Sequence, residues 1–192
     1  KITDAVQQAE RCEYDKKGQI AAQMPEIAVQ PRRGNDGVGC PNLARLDAER
    51  DNLVAAHAWS LRSADEGEAA LRLAHALRPY WFNRGRPALG MQFTLEALER
   101  TGPARRDLLR CKALYSAGDL AFAQGDFHAA REHMGASLEL AQALGEARWA
   151  AGVRQMLGMA CLGDGDAAAA DELLVEGLRL ARGLGDKREL AA

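Results

Sequence analysis

The sequence predicts an all-α fold, an α-α superhelix of antiparallel helix pairs, and three observations carry that expectation. Glycines recur at equal intervals: Gly85, Gly125 and Gly165 lie forty residues apart, as do Gly145 and Gly185, and Asp126 and Asp166 follow two members of the first set. Apolar positions keep the same interval, in Leu98, Leu138 and Leu178, in Leu140 and Leu180, in Leu144 and Leu184, in Met134 and Leu174, and in Leu77, Ala117 and Leu157. Aromatic residues make up only 5% of a chain that is 47% hydrophobic and rich in alanine, which favours close helix packing over a β-sandwich. A fixed period of roughly 20 to 50 residues is the mark of stacked supersecondary units.

The totals remove several function classes. Lys and Arg number 25 against 27 Asp and Glu, a net charge of -2 with no run of like charge, so no nucleic-acid surface is expected. Cys12, Cys40, Cys111 and Cys161 are far apart with no C-x-x-C pair, and the last two fall among apolar neighbours, which reads as buried thiols without a metal or disulfide. No stretch approaches the ~20 apolar residues of a membrane span, and no signal-peptide pattern opens the chain. A cytoplasmic setting without a membrane partner is the expectation. The first residue is not Met, and residues 187–192 occupy the positions of 147–152 one period earlier, so the chain reads as a piece of a longer protein.

Residues 1–41 read as a short helix and an irregular linker. Ile2, Val6, Ala9 and Cys12 share one helical face, which Gly18 ends, and Pro25, Pro31, Gly34, Gly37, Gly39 and Pro41 punctuate the linker. Gly34 and Gly39 have the spacing of a phosphate-binding loop, but Cys40 and Pro41 stand where its lysine and hydroxyl belong, so the match is spacing alone. Residues 42–192 read as the helical repeat domain. An opening helix over 42–63, capped by Asn42 and striped by Leu43, Leu46, Leu53, Val54, His57 and Leu61, matches the second helix of the later units.

Three full repeats come next, over 66–101, 105–145 and 147–185, with 187–192 a truncated fourth. In the first, Leu73, Leu77, Tyr80 and Trp81 face inward, Pro79 bends the helix, Gly85 turns the chain, and Leu89, Phe93, Leu95 and Leu98 belong to the second helix. In the second, a helix over 105–124 precedes one over 126–144. In the third, helices are expected over 147–162 and 166–183. Asp126 and Asp166 sit where a carboxylate caps free helix N–H groups, a stabilisation of roughly 0.5–2 kcal/mol. Gly118 and Gly158 lie inside helices, where glycine costs about 1 kcal/mol relative to alanine. Repeating that cost implies a neighbouring helix too close for a Cβ, with Ala130 and Ala170 small on the facing helix.

This code resembles the tetratricopeptide repeat, with its bulky residue, Leu-Gly, aromatic, Gly-Asp turn and later small alanine. The second unit matches in Leu114, Ala117-Gly118, Ala121, Gly125-Asp126, Ala130, Met134 and Ser137, and the third in Leu157-Gly158, Cys161, Gly165-Asp166, Ala170, Leu174 and Gly177. Arg154 stands in a bulky apolar slot, and Arg78 replaces the helix glycine of the first unit, which keeps Leu77, Trp81, Gly85, Ala97 and Leu98. The usual period is about 34. The longer form seen here, ending Leu184-Gly185-Asp186, is similar to repeats in the C-terminal sensor arms of large bacterial signal-transduction (STAND-type) ATPases. The segment with Glu49, Asp51-Asn52-Leu53, Ala56 and Ala58-Trp59 also resembles the approach to those arms, as does Tyr80-Trp81-Phe82. The resemblance implies a regulatory sensor attached to a nucleotide-binding switch, whose output is often a DNA-binding regulator or a cyclase.

In such a fold the first helices line a concave face. Its solvent-facing positions by register are Arg72, His75 and Asn83, then Lys112, Tyr115, Asp119 and Phe122, then Gln155 and Met159. Aromatic and methionine area with a few cations suits a protein or peptide segment, or a small effector. The competing reading has Tyr115, Phe122 and Met159 packed between repeats. No catalytic residue, cofactor or metal is expected: His128 and His133 are five apart and so do not align as i, i+4 ligands, and no nucleophile motif is present. The expected function is a non-catalytic binding module. The alternative is a scaffold that self-associates, as a homodimer, through exposed ends of the array.

Overall fold

The computed structural model describes residues 43–62 and 67–183. The expected helix around Ile2 to Cys12, the linker through Pro41, the Asn42 cap, Leu184-Gly185-Asp186 and residues 187–192 lie outside the described residues. Within them every regular element is a helix: α1 (Leu43–Ala48), α2 (Arg50–Ser60), α3 (Glu68–Asn83), α4 (Pro87–Thr101), α5 (Leu108–Ala123), α6 (Phe127–Ala143), α7 (Ala147–Gly163) and α8 (Ala167–Gly183). The described chain is all-α.

Turn chemistry explains where the helices reverse. Gly85, Gly125, Gly145 and Gly165 all adopt positive φ, between 63° and 83°, a backbone conformation that only glycine takes without a Cβ penalty. Asp126 accepts from the Ala129 amide at 3.0 Å and Asp166 from the Ala169 amide at 3.1 Å, so both cap the helices they precede. Contacts within each pair are symmetric about the turn. The side chain of Cys111 donates to Ser137 O at 3.2 Å while Ser137 Oγ donates to Cys111 O at 2.8 Å, on opposite sides of Gly125. That symmetry makes the pair antiparallel.

Gly118 and Gly158 sit where α6 and α8 cross their partners. A Cβ on Gly118 would run into the Met134 side chain and stand 3.2 Å from Ala130 O; one on Gly158 would stand 2.8 Å from Leu174 Cγ and 3.4 Å from Ala170 O. The first pair fills the same crossing with different residues. Trp81 takes the slot of Ala121 and Cys161, and Gly90 takes the slot of Ala130 and Ala170; a Cβ on Gly90 would lie 2.8 Å from the Trp81 ring. Where Arg78 takes the glycine slot, the Met134 position of the same pair is held by the smaller, fully buried Thr94.

Contacts between pairs run at a nearly constant sequence offset. His57 on α2 meets Glu96 on α4, the Arg100 guanidinium donates to Leu61 O at 2.7 Å, His75 on α3 meets Ser116 on α5, and Arg78 meets Asp119. These offsets of 39 to 41 residues equal the sequence period, so corresponding helices of neighbouring pairs lie side by side and parallel. One period of sequence is one step in space.

Three expectations need correction. The opening segment is two helices, because Glu49 leaves helical backbone angles (φ −97°, ψ 7°). There Asp47 turns back to accept from Tyr80 Oη at 2.9 Å and to pair with Arg84 at 2.5 Å, an anchor whose tertiary partners a local reading does not contain. Helix α5 starts at Leu108, not at residue 105, because Asp107 adopts an extended conformation and accepts from the Arg110 amide at 2.9 Å. A carboxylate cap fixes the first residue of the helix more firmly than the preceding arginines extend it. Asp119 is buried rather than solvent-facing, because Arg78 on α3 draws its carboxylate into the junction between helices. Helix α3 continues through Pro79 to Asn83 even though proline gives up one backbone donor.

The core runs the length of the described chain. Trp81, Leu71, Leu73, Leu77 and Leu120 are fully buried, and Trp81 meets Tyr80 and Phe93 as tilted and edge-on rings. Cys111 and Cys161 are buried free thiols whose pKa values burial pushes up, which leaves them poor nucleophiles.

His57 carries a pH prediction. Its ring is 3% exposed, stacks on Phe93 at 4.1 Å, and places Nε2 2.9 Å from Glu96 Oε2. Burial lowers its pKa, outweighing the hydrogen bond and charge of Glu96, which raise it. The unfolded imidazole, with a pKa near 6.5, takes up its proton first. Stability from the neutral form is therefore complete above about pH 6.5 and declines as pH falls through that value toward the lower folded pKa. His133, lowered by burial in α6, adds in the same direction. Urea midpoints measured from pH 8 to pH 5 are expected to drop below about pH 6.5, and His57→Gln is expected to flatten the slope. An unchanged slope in that variant contradicts the assignment.

Candidate binding face

One strip of side chains links α3, α5 and α7. On α5, Lys112, Tyr115, Asp119 and Phe122 recur at spacings of three or four and so share a helix face. On α3, His75 and Arg78 come alongside at one period's offset. Ser116 Oγ donates to Lys112 O at 2.9 Å and lies 2.8 Å from His75 Nδ1, which ties the imidazole to α5.

Arg78 and Asp119 form an ion pair across the α3–α5 junction, with side chains only 11% and 10% exposed. The Arg78 guanidinium carbon also lies 5.4 Å from the Tyr115 ring centroid. Asp119 is thus fastened to the neighbouring helix and offers little to a ligand.

Trp149, at the start of α7, is the hub of the strip. Its ring meets Tyr115 edge-on at 5.3 Å and His75 at 5.9 Å, and the Lys112 ammonium lies 5.7 Å from its centroid. Behind it the ring packs on the core formed by Cys111, Leu140, Ala141 and Ala150. A half-buried indole with a cation on its face combines apolar area with a fixed positive charge. Lys112 has no carboxylate partner among the described residues.

The opposite end of the strip is apolar. Phe122 is half-buried and meets Phe127 edge-on at 5.4 Å, and Phe127 abuts Gly163 at the end of α7. Met159 and Leu162, on that last stretch of α7, are 43% and 47% exposed. At the positions one period earlier, Asp119 is buried and Phe122 half-buried.

Of the residues singled out from the sequence, His75, Lys112 and Tyr115 come together around Trp149, and Phe122 and Met159 lie toward the other end. Gln155 is half-exposed in the middle of α7. Arg72 is exposed but held by Glu68 at 2.8 Å on its own helix, and Asn83 is exposed at the last residue of α3. Tyr115 and Phe122 remain half-exposed while also making ring contacts to neighbouring helices, so each both packs and faces outward.

Sequence reasoning missed Arg78, Ser116 and Trp149. Arg78 broke the glycine pattern, and a charged residue in a slot reserved for close approach is a signal that its side chain leaves sideways. Trp149 sits one period after Leu109 and one before Glu189, so the repeat pattern gave no reason to select it.

Among the described residues no group of three or more His, Cys, Asp or Glu is placed to hold a metal ion. No helix among them is long and apolar enough to cross a membrane. No protein-family model matches the chain, and no curated protein matches it.

Proposed function

We propose that the chain is a non-catalytic binding module of the tetratricopeptide-repeat kind, a superhelix of helix pairs whose first helices form a concave receiving face. It takes a protein or peptide segment, or a small effector, and serves as the regulatory sensor of a larger bacterial signalling ATPase or transcriptional regulator. The observation that carries this reading is the strip itself: Tyr115 and Trp149 with an unpaired Lys112 at one end, and Met159 with Leu162 at the other. Aromatic anchors, methionine area and one cation are the composition of a segment-binding surface.

Exposed Met159, Leu162 and Val175 in the last helix pair favour a second reading, self-association through that end. Light scattering across concentration separates the two when joined to a selection of displayed peptides. The first reading expects a monomer at every concentration, enriching peptides that Tyr115→Ala and Met159→Asp each weaken at least tenfold. A concentration-dependent dimer whose formation ignores Tyr115 and Lys112, with no peptide enriched, establishes the second and defeats the first.

A further inference from the structure

We infer that the strip is a two-point reader, and that its partner is an extended segment bearing an acidic residue about five positions from an aliphatic one. This rests on the segment-binding reading and adds the chemistry of the occupant.

Charge sorts between the two faces of the helix pairs. The first helices α3, α5 and α7 carry six Arg or Lys and two acids, whereas the second helices α4, α6 and α8 carry four and seven. The strip therefore lies on the row of helices richer in cations, in a chain whose net charge is -2. Most of those cations are already engaged. Arg72 pairs with Glu68, Arg78 with Asp119, and Arg110 and Arg154 donate to backbone carbonyls. Lys112 is left with only the Trp149 ring, and a carboxylate brought to it gains an ion pair against an apolar wall that keeps water from one side.

The separation of the two ends follows from helix geometry. Lys112 and Phe122 are ten residues apart on α5, and Trp149 and Met159 ten apart on α7, so each pair is separated by about 15 Å along its axis. An extended segment spans that distance in about five residues. Its carboxylate meets Lys112 beside Trp149 while its aliphatic side chain covers Met159 and Leu162.

Fluorescence anisotropy of labelled synthetic peptides tests this on the full chain. The first probe has two Glu, four Ser and two Leu; a second exchanges Glu for Lys; a third exchanges Leu for Ser; a fourth omits the spacer. Binding of the first is expected to be at least tenfold tighter than that of the other three, and Lys112→Glu is expected to invert the order of the Glu and Lys probes. Equal binding of the Glu and Lys probes, both abolished by Met159→Asp, overturns the proposal while leaving the binding face standing. Failure of every probe to bind also overturns the proposal, and the displayed-peptide selection then decides the segment-binding reading on its own. Circular dichroism of each variant against the parent separates a lost contact from a lost fold.

Discussion

Asp119→Ala is expected to destabilise the chain by about 3 kcal/mol, the lower part of the range for removing one member of a buried ion pair. The reason is asymmetry. Removing the carboxylate leaves the Arg78 guanidinium held at the α3–α5 junction without the Asp119 charge, and breaking a buried ion pair from one side costs more than the pair contributes. The lower part of the range applies because about a tenth of each side chain reaches solvent. Replacing both partners, Arg78→Met with Asp119→Leu, is expected to recover most of the loss, since apolar residues of similar size need no partner. Urea denaturation of the two single variants and the double variant measures this directly. Additive losses in the double variant would show that the two side chains act separately.

Gly118→Leu is expected to cost about 3 kcal/mol, at the upper end of overpacking effects, because the new side chain begins inside the space of Met134 and close to Ala130 O. Met134 is fully buried and cannot swing aside without displacing the core shared with Val153 and Leu157. Gly118→Ala is the more discriminating variant. Alanine gains about 1 kcal/mol of helix propensity over glycine, so a net loss at this position must come from the crossing. Gly135 supplies the control, since it lies within α6 with nothing within 4 Å of where its Cβ would be. Gly135→Ala is expected to stabilise by about 0.5–1 kcal/mol. Opposite signs at two glycines in adjoining helices separate close approach from intrinsic propensity, and equal signs would remove the crossing explanation.

These two sites also mark what could be read from the sequence. Gly118 and Gly158 announce a close crossing because helix propensity penalises them locally, and the penalty repeats at one period. Gly85, Gly125 and Gly165, with Asp126 and Asp166, announce the turns and caps for the same reason: the chemistry that fixes them lies within four residues. The Arg78–Asp119 pair was hidden because its partners are 41 residues apart and neither position looks unusual as a partner for the other. The break at Glu49 was hidden because Asp47 is bound by Tyr80 on α3 and by Arg84 just past its end. The presence of Trp81 and Gly90 where later pairs have alanine-sized residues was legible in principle, since the one large residue in the first column coincides with a glycine in the column it faces. It needed the two columns of the repeat to be compared together.

The candidate strip divides along the same line. Its positions on α5 and α7 come from the register of the repeat that the chain resembles, which is why Lys112, Tyr115, Phe122 and Met159 could be named from the sequence. The rotation of α5 that buries Asp119 against α3, and the docking of Trp149 between Tyr115, His75 and Lys112, depend on how neighbouring pairs meet. Side-chain reach across helices decided those, and the pattern along one helix does not encode it.

Helices of neighbouring pairs meet one period apart, and proton NMR tests that most directly. With three Trp, three Tyr and four Phe, the aromatic region is sparse enough to assign by single substitution. Stacked pairs place the His57 and Phe93 rings 4.1 Å apart and the Tyr115 and Trp149 rings 5.3 Å apart, so cross-relaxation is expected between both. If both ring pairs lack such peaks while the circular dichroism spectrum remains helical, the helices are joined in some other order and the face around Trp149 does not exist.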